Sequence, residues 1–480
     1  MNDIVVKKNI IWRILQQYSS YIIKIIVQIV LARLLLPEDF GLIAIVMVFV
    51  NIAEIIAISG FGTALVQKKD PDYKDFSTVL TSSMVFSFIA YFAVFLFAPV
   101  IADIYHNEKL ILVLRVYGIA IFIQSYFSIQ NALVAKKFQF KKSFIATLLA
   151  TIISGAISIF AAYSGVGIWA LVIQSICASV LSVIILHFLV PWVPKFGFDF
   201  ERFKMLFSFS WKILLASLLG SVLEDLYNLV IGKFYGEEML GYYKQGNSYP
   251  SAILGQTKNA INAVILPAYS IYQNDKERLR LEVKKMTHLS VFLIFPMALG
   301  LAAISRNFVL VILTEKWLPC LFFLRLECIF FATLPLASSI NMAMTAIGRS
   351  DIALKLESIK LLLSILCVIF LHSVDIEFLC IARVAIAVFV TLLSVFVSNK
   401  QIGYGFKDLF IDIYKPLLIS FLMGVIVFMI TFIGLSEILT LIMQVLAGLI
   451  IYFICAYMFM KNDLRDIRLL FSTKQKEEQQ

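Results

Sequence analysis

The sequence has 480 residues, of which 61% are apolar and 15% are charged, and its formal net charge is +10. A soluble protein is roughly 45–50% apolar and about 25% charged, so this composition excludes a soluble enzyme with one membrane anchor. It predicts an all-α polytopic membrane protein. The six cysteines and four histidines show no metal-ligand spacing, so neither a metal site nor a cofactor is expected.

Continuous apolar runs predict about fourteen transmembrane helices. A helix needs roughly 20 residues to cross a bilayer. The runs lack the alternation of a β-barrel, and lipid offers no partners to free backbone groups, so the spans must be helical. In chain order the predicted segments are 10–35, 41–66, 78–102, 110–135, 144–163, 168–190, 211–234, 246–271, 288–313, 321–347, 356–372, 377–398, 414–434 and 437–460.

The cations predict which side of the membrane each loop occupies. When Lys and Arg are assigned to alternating loops, with those at the ends of spans counted in the adjacent loop, 29 of the 41 fall on the side of the termini, five on the opposite side and seven deeper within spans. Cytoplasmic loops carry such an excess, so both termini are expected in the cytoplasm. The excess of basic over acidic residues is explained by the orientation of the helices in the membrane and by attraction to anionic lipid. Nucleic acid is therefore not an expected partner.

Two internal matches indicate a duplication. Residues 31–42 (LARLLLPEDFGL) align with residues 231–242 (IGKFYGEEMLGY) at an offset of 200, and residues 114–122 (LRVYGIAIF) align with 324–332 (LRLECIFFA) at an offset of 210. Helices 1–6 and 7–12 are therefore predicted to be parallel copies, as in transporters whose site lies between repeats. The predicted organisation is an N-lobe at 1–190, a cytoplasmic interfacial linker at 191–210, a C-lobe at 211–398, helices 13 and 14 at 399–460 and a cytoplasmic tail at 461–480.

Four predicted helices carry ionisable residues near the middle of the bilayer. A charge there costs about 2.5–3.5 kcal/mol and indicates function, and amide side chains accompany each charge. The residues are Lys24 with Gln28 in helix 1, Glu54 with Asn51 in helix 2, Glu224 and Asp225 with Asn228 in helix 7, and Lys258 with Asn262 in helix 8. We expect these side chains to face a watery cavity between the two halves.

Two interpretations of the charges stay open. In the first, Lys24 pairs with Glu54 and Glu224 pairs with Lys258, so that the charges only neutralise each other. In the second, cations bind a polyanion such as a diphosphate while a carboxylate exchanges a proton or sodium ion. The expected diphosphate-binding residues are then Lys24, Lys258, Arg115 and Arg325, the expected ion-coupling or gating residues are Glu54, Glu224 and Asp225, and the expected sugar-contacting residues are Gln28, Asn51, Asn228 and Asn262.

Catalytic motifs are missing from the sequence. No Walker loop, GxSxG or HExxH motif occurs. The longest outer loop, at about residues 235–245, is too short for an outer active site. The chain is therefore not expected to be an enzyme; a membrane polysaccharide polymerase, the alternative from a different class, would need an outer cluster of His, Arg or Asp.

Four stretches resemble one family of transporters. They are LARLLLPEDFGLIAIVMVFVNIAEIIAISGFGTALVQ from residue 31, IQNALVAKKFQFKKS from residue 129, GVGIWALV at 165–172 and DLYNLVIGKFYGEEMLGYYKQGNSYP at 225–250. Over at least residues 10–350 the chain resembles the polysaccharide transporters, the Wzx-type O-antigen and teichuronic acid flippases of the MOP exporter superfamily. The resemblance implies MATE-like lobes that work by alternating access.

The resemblance also implies a substrate, a location and partners. Members of this family move undecaprenyl-diphosphate-linked oligosaccharide across the bacterial inner membrane, driven by a proton or sodium gradient, for O-antigen, capsule or exopolysaccharide biosynthesis. Contact with inner-membrane lipid and association with polysaccharide assembly proteins are expected. In relatives, helices 1, 2, 7 and 8 line the cavity. A lipid II flippase and a MATE-type multidrug/cation antiporter are the alternatives among transporters.

Overall fold

The computed structural model describes residues 3–192 and 195–459, except for the side chains of residues 3–11, 13–15, 17, 18, 223, 224 and 263. The described chain is helical and contains no strand. Eleven stretches of it are helices that are long and apolar enough to cross a membrane. The predicted all-α polytopic fold is therefore confirmed.

The chain divides into two compact units, Met1–Gly241 and Tyr242–Gln480. The last helix of the first unit runs past the boundary. The helices that begin in the first unit are α1 (Asp3–Leu34), α2 (Pro37–Ile58), α3 (Phe61–Gln67), α4 (Tyr73–Ile104), α5 (Lys109–Tyr117), α6 (Ala120–Lys136), α7 (Phe140–Tyr163), α8 (Trp169–Leu189) and α9 (Phe200–Pro250).

The second unit continues with helices of similar length. A π-helical turn, Ser251–Gly255, joins α9 to α10, and Val309–Leu313 extends α11 in the same way. The α-helices that begin in this unit are α10 (Gln256–Ile271), α11 (Lys276–Phe308), α12 (Cys320–Ala346), α13 (Ser350–Leu371), α14 (Ile376–Ile402), α15 (Phe406–Met429) and α16 (Glu437–Phe459).

Local sequence signals explain several helix ends. Asp72 caps α4: its carboxylate accepts from the Asp75 backbone N–H at 2.9 Å, and the Asp75 carboxylate accepts from the Asp72 N–H at 2.9 Å. Pro37 opens α2 at a position where no backbone donor is needed. At the end of α14, Gly403 adopts φ 75°, a left-handed conformation that suits glycine. These signals place the turns between apolar runs.

Two breaks lie near or inside predicted spans. Ser59 (φ 47°) and Gly60 (φ 69°) separate α2 from α3, so predicted helix 2 is two helices in succession. Gly236 (φ 86°, ψ 169°) interrupts α9. The latter break falls in the short outer turn that the sequence predicts between helices 7 and 8.

The helix surfaces reverse the pattern of a soluble protein. On α4, Phe88, Leu96 and Phe97 are about 57–61% exposed, whereas the small polar residues Ser83 and Ser87 are buried. The serine hydroxyls form hydrogen bonds inside the bundle: Ser87 Oγ, for example, donates to the Ser83 carbonyl oxygen at 2.7 Å. Large apolar side chains on the outside are what a lipid solvent favours.

The helices fall on the predicted segments, and eleven stretches of the described chain qualify as crossings where the sequence predicts about fourteen. Residues Phe200–Ile271 count as one candidate membrane span of 72 residues, although Gly236 interrupts the helix within it. Helices α1 and α13 are not among the eleven candidate spans. Fourteen crossings and the predicted lobes, linker and termini orientation stay predictions. The predicted cytoplasmic tail at 461–480 lies outside the described residues.

Candidate functional site

A polar cavity of about 810 Å³ lies within the first unit. Five helices form its wall: α1, α3, α6, α7 and α8. The polar or charged lining residues are Gln16, Ser20, Tyr21, Lys24, Thr63, Gln124, Ser128, Asn131, Ser143, Thr147, Thr151, Ser179 and Ser182. Hydroxyl and amide groups at this density, in a segment that crosses lipid, require water or a polar ligand as their partner.

Lys24 supplies the charge of this cavity. It is the only ionisable group apart from the Tyr21 phenol among the described residues that line the wall. Its side chain is exposed, and within the described part of the chain it makes no ion pair. The wall therefore presents a single cation among neutral hydrogen-bonding groups.

Hydrogen bonds between neighbouring helices hold the wall in place. Gln16 Nε2 donates to Ser143 Oγ at 3.0 Å, and Ser143 Oγ donates to Asn131 Oδ1 at 3.3 Å, which links α1, α7 and α6. On the facing side, Gln124 Nε2 donates to Ser179 Oγ at 2.9 Å and links α6 to α8. The polar groups are thus oriented before any ligand arrives.

Of the predicted site residues whose side chains the structure describes, the cavity contains Lys24 alone. Gln28 follows one turn later on α1, and Asn51 and Glu54 lie half-buried on α2; none of the three is among the lining residues. Lys24 and Glu54 do not form an ion pair, so the proposed neutralising pair of helices 1 and 2 is absent from the described structure. Within the described residues the Glu54 carboxylate has no hydrogen-bond or ion-pair partner.

The predicted residues of helix 7 form a local contact. Asn228 is buried and donates to Asp225 Oδ1 at 2.7 Å, and Ser221 Oγ lies 3.4 Å from Asp225 Oδ2. Glu224 belongs to the side chains that lie outside the described residues, so its predicted role and its predicted pair with Lys258 stay predictions.

The predicted residues of helix 8 belong to the second unit. Lys258 is half-buried on α10. Asn262, one turn further on, accepts from Ser338 Oγ of α12 at 3.2 Å. Neither residue lines the cavity described above.

The two arginines that the repeat duplicates have different surroundings. The Arg115 guanidinium lies 4.1 Å from the centroid of the Phe95 ring, and its buried Nε has no hydrogen-bond partner in the described chain. Arg325 is exposed, and its Nε donates to Ser305 Oγ at 2.8 Å. Neither lines the cavity around Lys24.

Sequence reasoning missed a buried charged network in the second unit. The Glu327 side chain of α12 is 3% exposed and forms an ion pair with Arg383 of α14. Arg383 also donates to the Tyr243 hydroxyl at 2.6 Å, and Asn247 donates to Glu327 Oε2 at 2.8 Å. No local spacing in the sequence indicates that Glu327 and Arg383, 56 residues apart in the chain, meet.

Known structures share this arrangement of helices. A structure titled lipid II flippase MurJ, inward closed conformation, superposes with a TM-score of 0.74 and 15% identity, over 96% of this chain and 99% of that one. An inward-facing multidrug resistance MATE transporter of the MOP superfamily superposes with a TM-score of 0.60 and 14% identity, over 82% of this chain and 94% of that one. The chain is therefore a polytopic membrane protein with the MOP transporter fold.

Sequence comparison identifies the family within that class. The profile of the family described as polysaccharide biosynthesis protein matches residues 30–322, and the chain belongs to this family. The family resemblance stated from the sequence is thereby confirmed. The relatives below and the structural neighbours are named for transport and biosynthesis, which supports the prediction that this chain is a transporter and not an enzyme.

Three relatives have informative names. The succinoglycan biosynthesis transport protein ExoT of Rhizobium meliloti (strain 1021) is 23% identical over 66% of this chain, and the match spans 64% of ExoT. The teichuronic acid biosynthesis protein TuaB of Bacillus subtilis (strain 168) is 25% identical over 78% of each chain. The lipopolysaccharide biosynthesis protein WzxC of Escherichia coli (strain K12) is 23% identical over 82% of this chain and 80% of WzxC.

Proposed function

We propose that this protein is a flippase that moves a lipid-linked, anionic oligosaccharide across the bacterial inner membrane for surface polysaccharide biosynthesis. The substrate class is undecaprenyl-diphosphate-linked oligosaccharide. The observation that carries the proposal is the cavity of the first unit, in which Lys24 stands among hydroxyl and amide side chains. The names of ExoT, TuaB and WzxC, which all refer to extracellular polysaccharides, support it.

The chemistry of the cavity suits a sugar attached to an anion. Hydroxyl and amide groups exchange hydrogen bonds with sugar hydroxyls at little cost, because they replace water one for one. A lysine ammonium binds phosphate as a point charge. The polyprenyl tail needs no polar site, since it stays in the lipid that surrounds the helices.

The cavity lies toward the helix ends that we place in the cytoplasm. Its wall uses residues 16–24 of α1, 124–135 of α6 and 178–182 of α8, and the charge of the loops puts these ends on the side of the termini. A substrate assembled in the cytoplasm would therefore enter here. Lys24 lies deepest among the lining residues of α1.

We assign ion coupling to Glu54. It is a half-buried carboxylate on α2, and the described chain gives it no partner, so it is available to exchange a proton or a sodium ion. Asp225 is the second candidate, but it already accepts a hydrogen bond from Asn228. Coupling at Glu54 makes transport depend on a cation gradient rather than on ATP.

Deleting the gene in its native bacterium tests the function. We expect undecaprenyl-diphosphate-linked repeat units to accumulate in the lipid extract and surface polysaccharide to fall, because synthesis continues while export stops. Restoring the parent gene is the control. Normal surface polysaccharide without accumulation in the deletion strain would contradict the proposal.

Two alternatives give different results in parallel assays. A lipid II flippase would restore growth to a strain depleted of its own lipid II flippase, and we expect no restoration here. A multidrug/cation antiporter would lower sensitivity to cationic drugs, and we expect no change. The described lining of the cavity disfavours the antiporter, because it contains a lysine and no carboxylate to attract a cationic drug. Lipid II also carries a diphosphate, so the growth assay is what distinguishes it from the proposed substrate.

A further inference from the structure

A series of buried hydroxyl groups runs through the second unit from α10 to α15. The Tyr269 hydroxyl of α10 lies 2.7 Å from Ser339 Oγ of α12, and Ser339 Oγ lies 3.0 Å from Thr287 Oγ1 of α11. The Thr287 side chain in turn interacts with the hydroxyl of Tyr404, in the segment before α15. All four side chains are buried. The hydroxyl chain, as we name this set, consists of Tyr269, Ser339, Thr287 and Tyr404.

The hydroxyl chain ends on a buried carboxylate. Tyr404 donates to Asp412 Oδ2 of α15 at 3.0 Å, and Asp412 is 5% exposed. A carboxylate only accepts hydrogen bonds, whereas each hydroxyl both donates and accepts. With Asp412 ionised, every hydroxyl of the chain can therefore direct its proton toward the carboxylate. The charge of this one residue thus orients side chains that belong to three other helices and to the segment before α15.

Asp408, one turn earlier on α15, has different partners. It is also buried, and it pairs with two cations of α11, Arg280 Nη2 at 2.7 Å and Lys284 Nζ at 3.0 Å. In the part of the chain that the structure describes, no lysine or arginine lies within ion-pair distance of the Asp412 carboxylate. The two cations of α11 are thus committed to Asp408, and Asp412 is left with the Tyr404 hydroxyl.

The neighbouring helices bring further ionisable groups toward Asp412. From α11, from α15 and from the segment before α15, these groups are Lys284, His288, Asp408 and Tyr404. His288 Nδ1 donates to the Asp412 backbone carbonyl oxygen at 2.8 Å. At the end of α14, Lys400 lies over the Phe396 ring instead. The described helix α16 carries one charged residue, Glu437, at the end that adjoins the far end of α15.

We propose that Asp412 is a proton-binding site, reached from the surface beside Lys284 and Arg280, and that its protonation resets the hydroxyl chain. Lys284 and Arg280 are partly exposed, so water reaches this edge of the cluster. Removing a charge from water without a cation is costly, and a proton cancels that charge. One proton leaves a hydronium ion and forms an O–H bond on the carboxylate. Tyr404 then loses its ionised acceptor, and the hydroxyls can turn toward α10.

The far end of the hydroxyl chain lies on a helix with predicted site residues. Tyr269 belongs to α10, which also carries Lys258 and Asn262, and Asn262 accepts from Ser338 Oγ at 3.2 Å, one residue before Ser339. The charge of the loops places Asp412 at a cytoplasmic helix end, so the site responds to cytoplasmic pH. Only this choice of compartment rests on the predicted orientation. Proton binding itself depends on neither the orientation nor the proposed substrate.

Infrared difference spectra of the purified protein test the site. A carboxyl group that takes up a proton between mildly alkaline and mildly acid pH adds a carbonyl stretch to the spectrum, which a histidine such as His288 does not. We expect Asp412→Asn to lack one component of this band that the parent shows. Asp351→Asn is the control, because that carboxylate is exposed and paired with Arg349, and it should keep the component. A parent-like band in Asp412→Asn would overturn the proposal.

Tyr404→Phe keeps the carboxylate and removes its donor. The Asp412 component should remain but move to higher wavenumber, because a carbonyl group that loses a hydrogen-bond donor has a stiffer bond. Tyr414→Phe is the matched control on α15, since the Tyr414 ring is exposed and stacks on Phe410, and it should leave the component in place. If Asp412→Asn fails to accumulate, Tyr404→Phe decides: an unmoved band would reject Asp412 as the proton site.

Thr287→Val tests whether the hydroxyl chain transmits the protonation. It removes the middle hydroxyl and keeps the branched shape of the side chain. The difference spectrum of the parent should contain a tyrosine component that Tyr269→Phe removes, and Thr287→Val should remove it too while the Asp412 component stays. A tyrosine component that survives Thr287→Val would show that the hydroxyl chain does not connect Asp412 to α10.

Discussion

The two units treat charges inside the bundle in opposite ways. In the second unit, Glu327 is almost fully buried and paired with Arg383, and Asn247 satisfies its second oxygen. In the first unit, Lys24 lies on α1 and Glu54 on α2, two helices that the sequence predicts to cross the membrane. Within the described chain neither side chain has an ion-pair partner. The second unit neutralises this charge pair internally, whereas the first unit leaves Lys24 and Glu54 for water or a ligand. The first unit does pair its buried Asp75, at the start of α4, with Lys68 and Arg202.

Energetics explain why this difference matters. A buried ion pair compensates part of its own desolvation cost, but losing one partner is expensive because the other stays buried and uncompensated. A single charge within a span costs about 2.5–3.5 kcal/mol and is rarely kept without a use. Removing one partner of the Glu327–Arg383 pair is therefore costly to stability, whereas Lys24 and Glu54 are the better candidates for transport.

The largest expected effect comes from breaking the pair in the second unit. Glu327→Gln leaves Arg383 buried without a counter-charge and should lower the free energy of unfolding by about 3–5 kcal/mol, measured as a large drop in the melting temperature of the purified protein in detergent. Adding Arg383→Gln should recover most of the loss.

Glu357→Gln serves as the control for that experiment. Its carboxylate is 48% exposed and lies 3.7 Å from Lys360, so its removal should leave the melting temperature close to that of the parent. A parent-like melting temperature for Glu327→Gln would show that the buried pair does not stabilise the second unit.

Removing the unpaired cation of the first unit should affect transport and not stability. Hydrogen bonds to charged groups contribute about 1.5–3 kcal/mol, so Lys24→Gln should reduce export about 10- to 100-fold, measured as surface polysaccharide in the complemented deletion strain. Lys24→Arg should retain part of the activity, because it keeps the charge.

Lys360→Gln is the matched control for Lys24, since it removes a cation from α13 that already has a partner in Glu357. Export should stay near the parent level in this variant. If Lys24→Gln exports normally at normal protein levels, Lys24 does not contact the substrate.

Glu54→Gln should produce a smaller loss with a different signature. If Glu54 exchanges the coupling ion, export should fall several-fold and should no longer respond when an ionophore collapses the cation gradient. Asp225→Asn, at a carboxylate that is already hydrogen-bonded, should keep the response of the parent. A Glu54→Gln variant with undiminished ionophore sensitivity would move the coupling site elsewhere.

The smallest effect is expected for an exposed pair, which sharpens the contrast with Glu327. Arg349 contacts Asp351 through two hydrogen bonds of 2.9 and 3.1 Å, and this contact lowers the pKa of Asp351 below its ordinary value of 3.8. A lowered pKa stabilises the fold above pH 3.8, and the contribution disappears as pH falls through the folded-state pKa.

Melting curves of Arg349→Ala and of the parent at several pH values measure this contribution. The curves should differ slightly at neutral pH and coincide at low pH, and export should be unchanged. A difference that grows on acidification would contradict the assigned sign.

The location of the helices was predictable, and the physical reason is general. Lipid offers no hydrogen bonds to the backbone, so each long apolar run must satisfy its own backbone as a helix. Local chemistry explains helix ends and breaks that the structure shows, as at Asp72, Pro37 and Gly236. Lys24 was found by the same logic, because the cost of its charge depends mainly on its position along a span.

The partners of each residue were not predictable in this way. The sequence match aligned Gly41 with Gly241. It did not show that Gly41 packs against the backbone of Glu237 and Gly241 against the backbone of Pro37. One of the two interpretations paired Lys24 with Glu54, but Lys24 borders a wall of serines, threonines and amides from four other helices. Those small polar residues are too common in apolar runs to attract notice singly.

Sequence alone was sufficient for the membrane class, the helix positions and the presence of costly charges, because each of these depends on the free energy of transferring one segment from water to lipid. Tertiary packing decided which charges are neutralised, where the polar cavity forms and which backbone segments Gly41 and Gly241 touch. These outcomes depend on distances between helices far apart in the chain, and a transfer free energy carries no information about such distances.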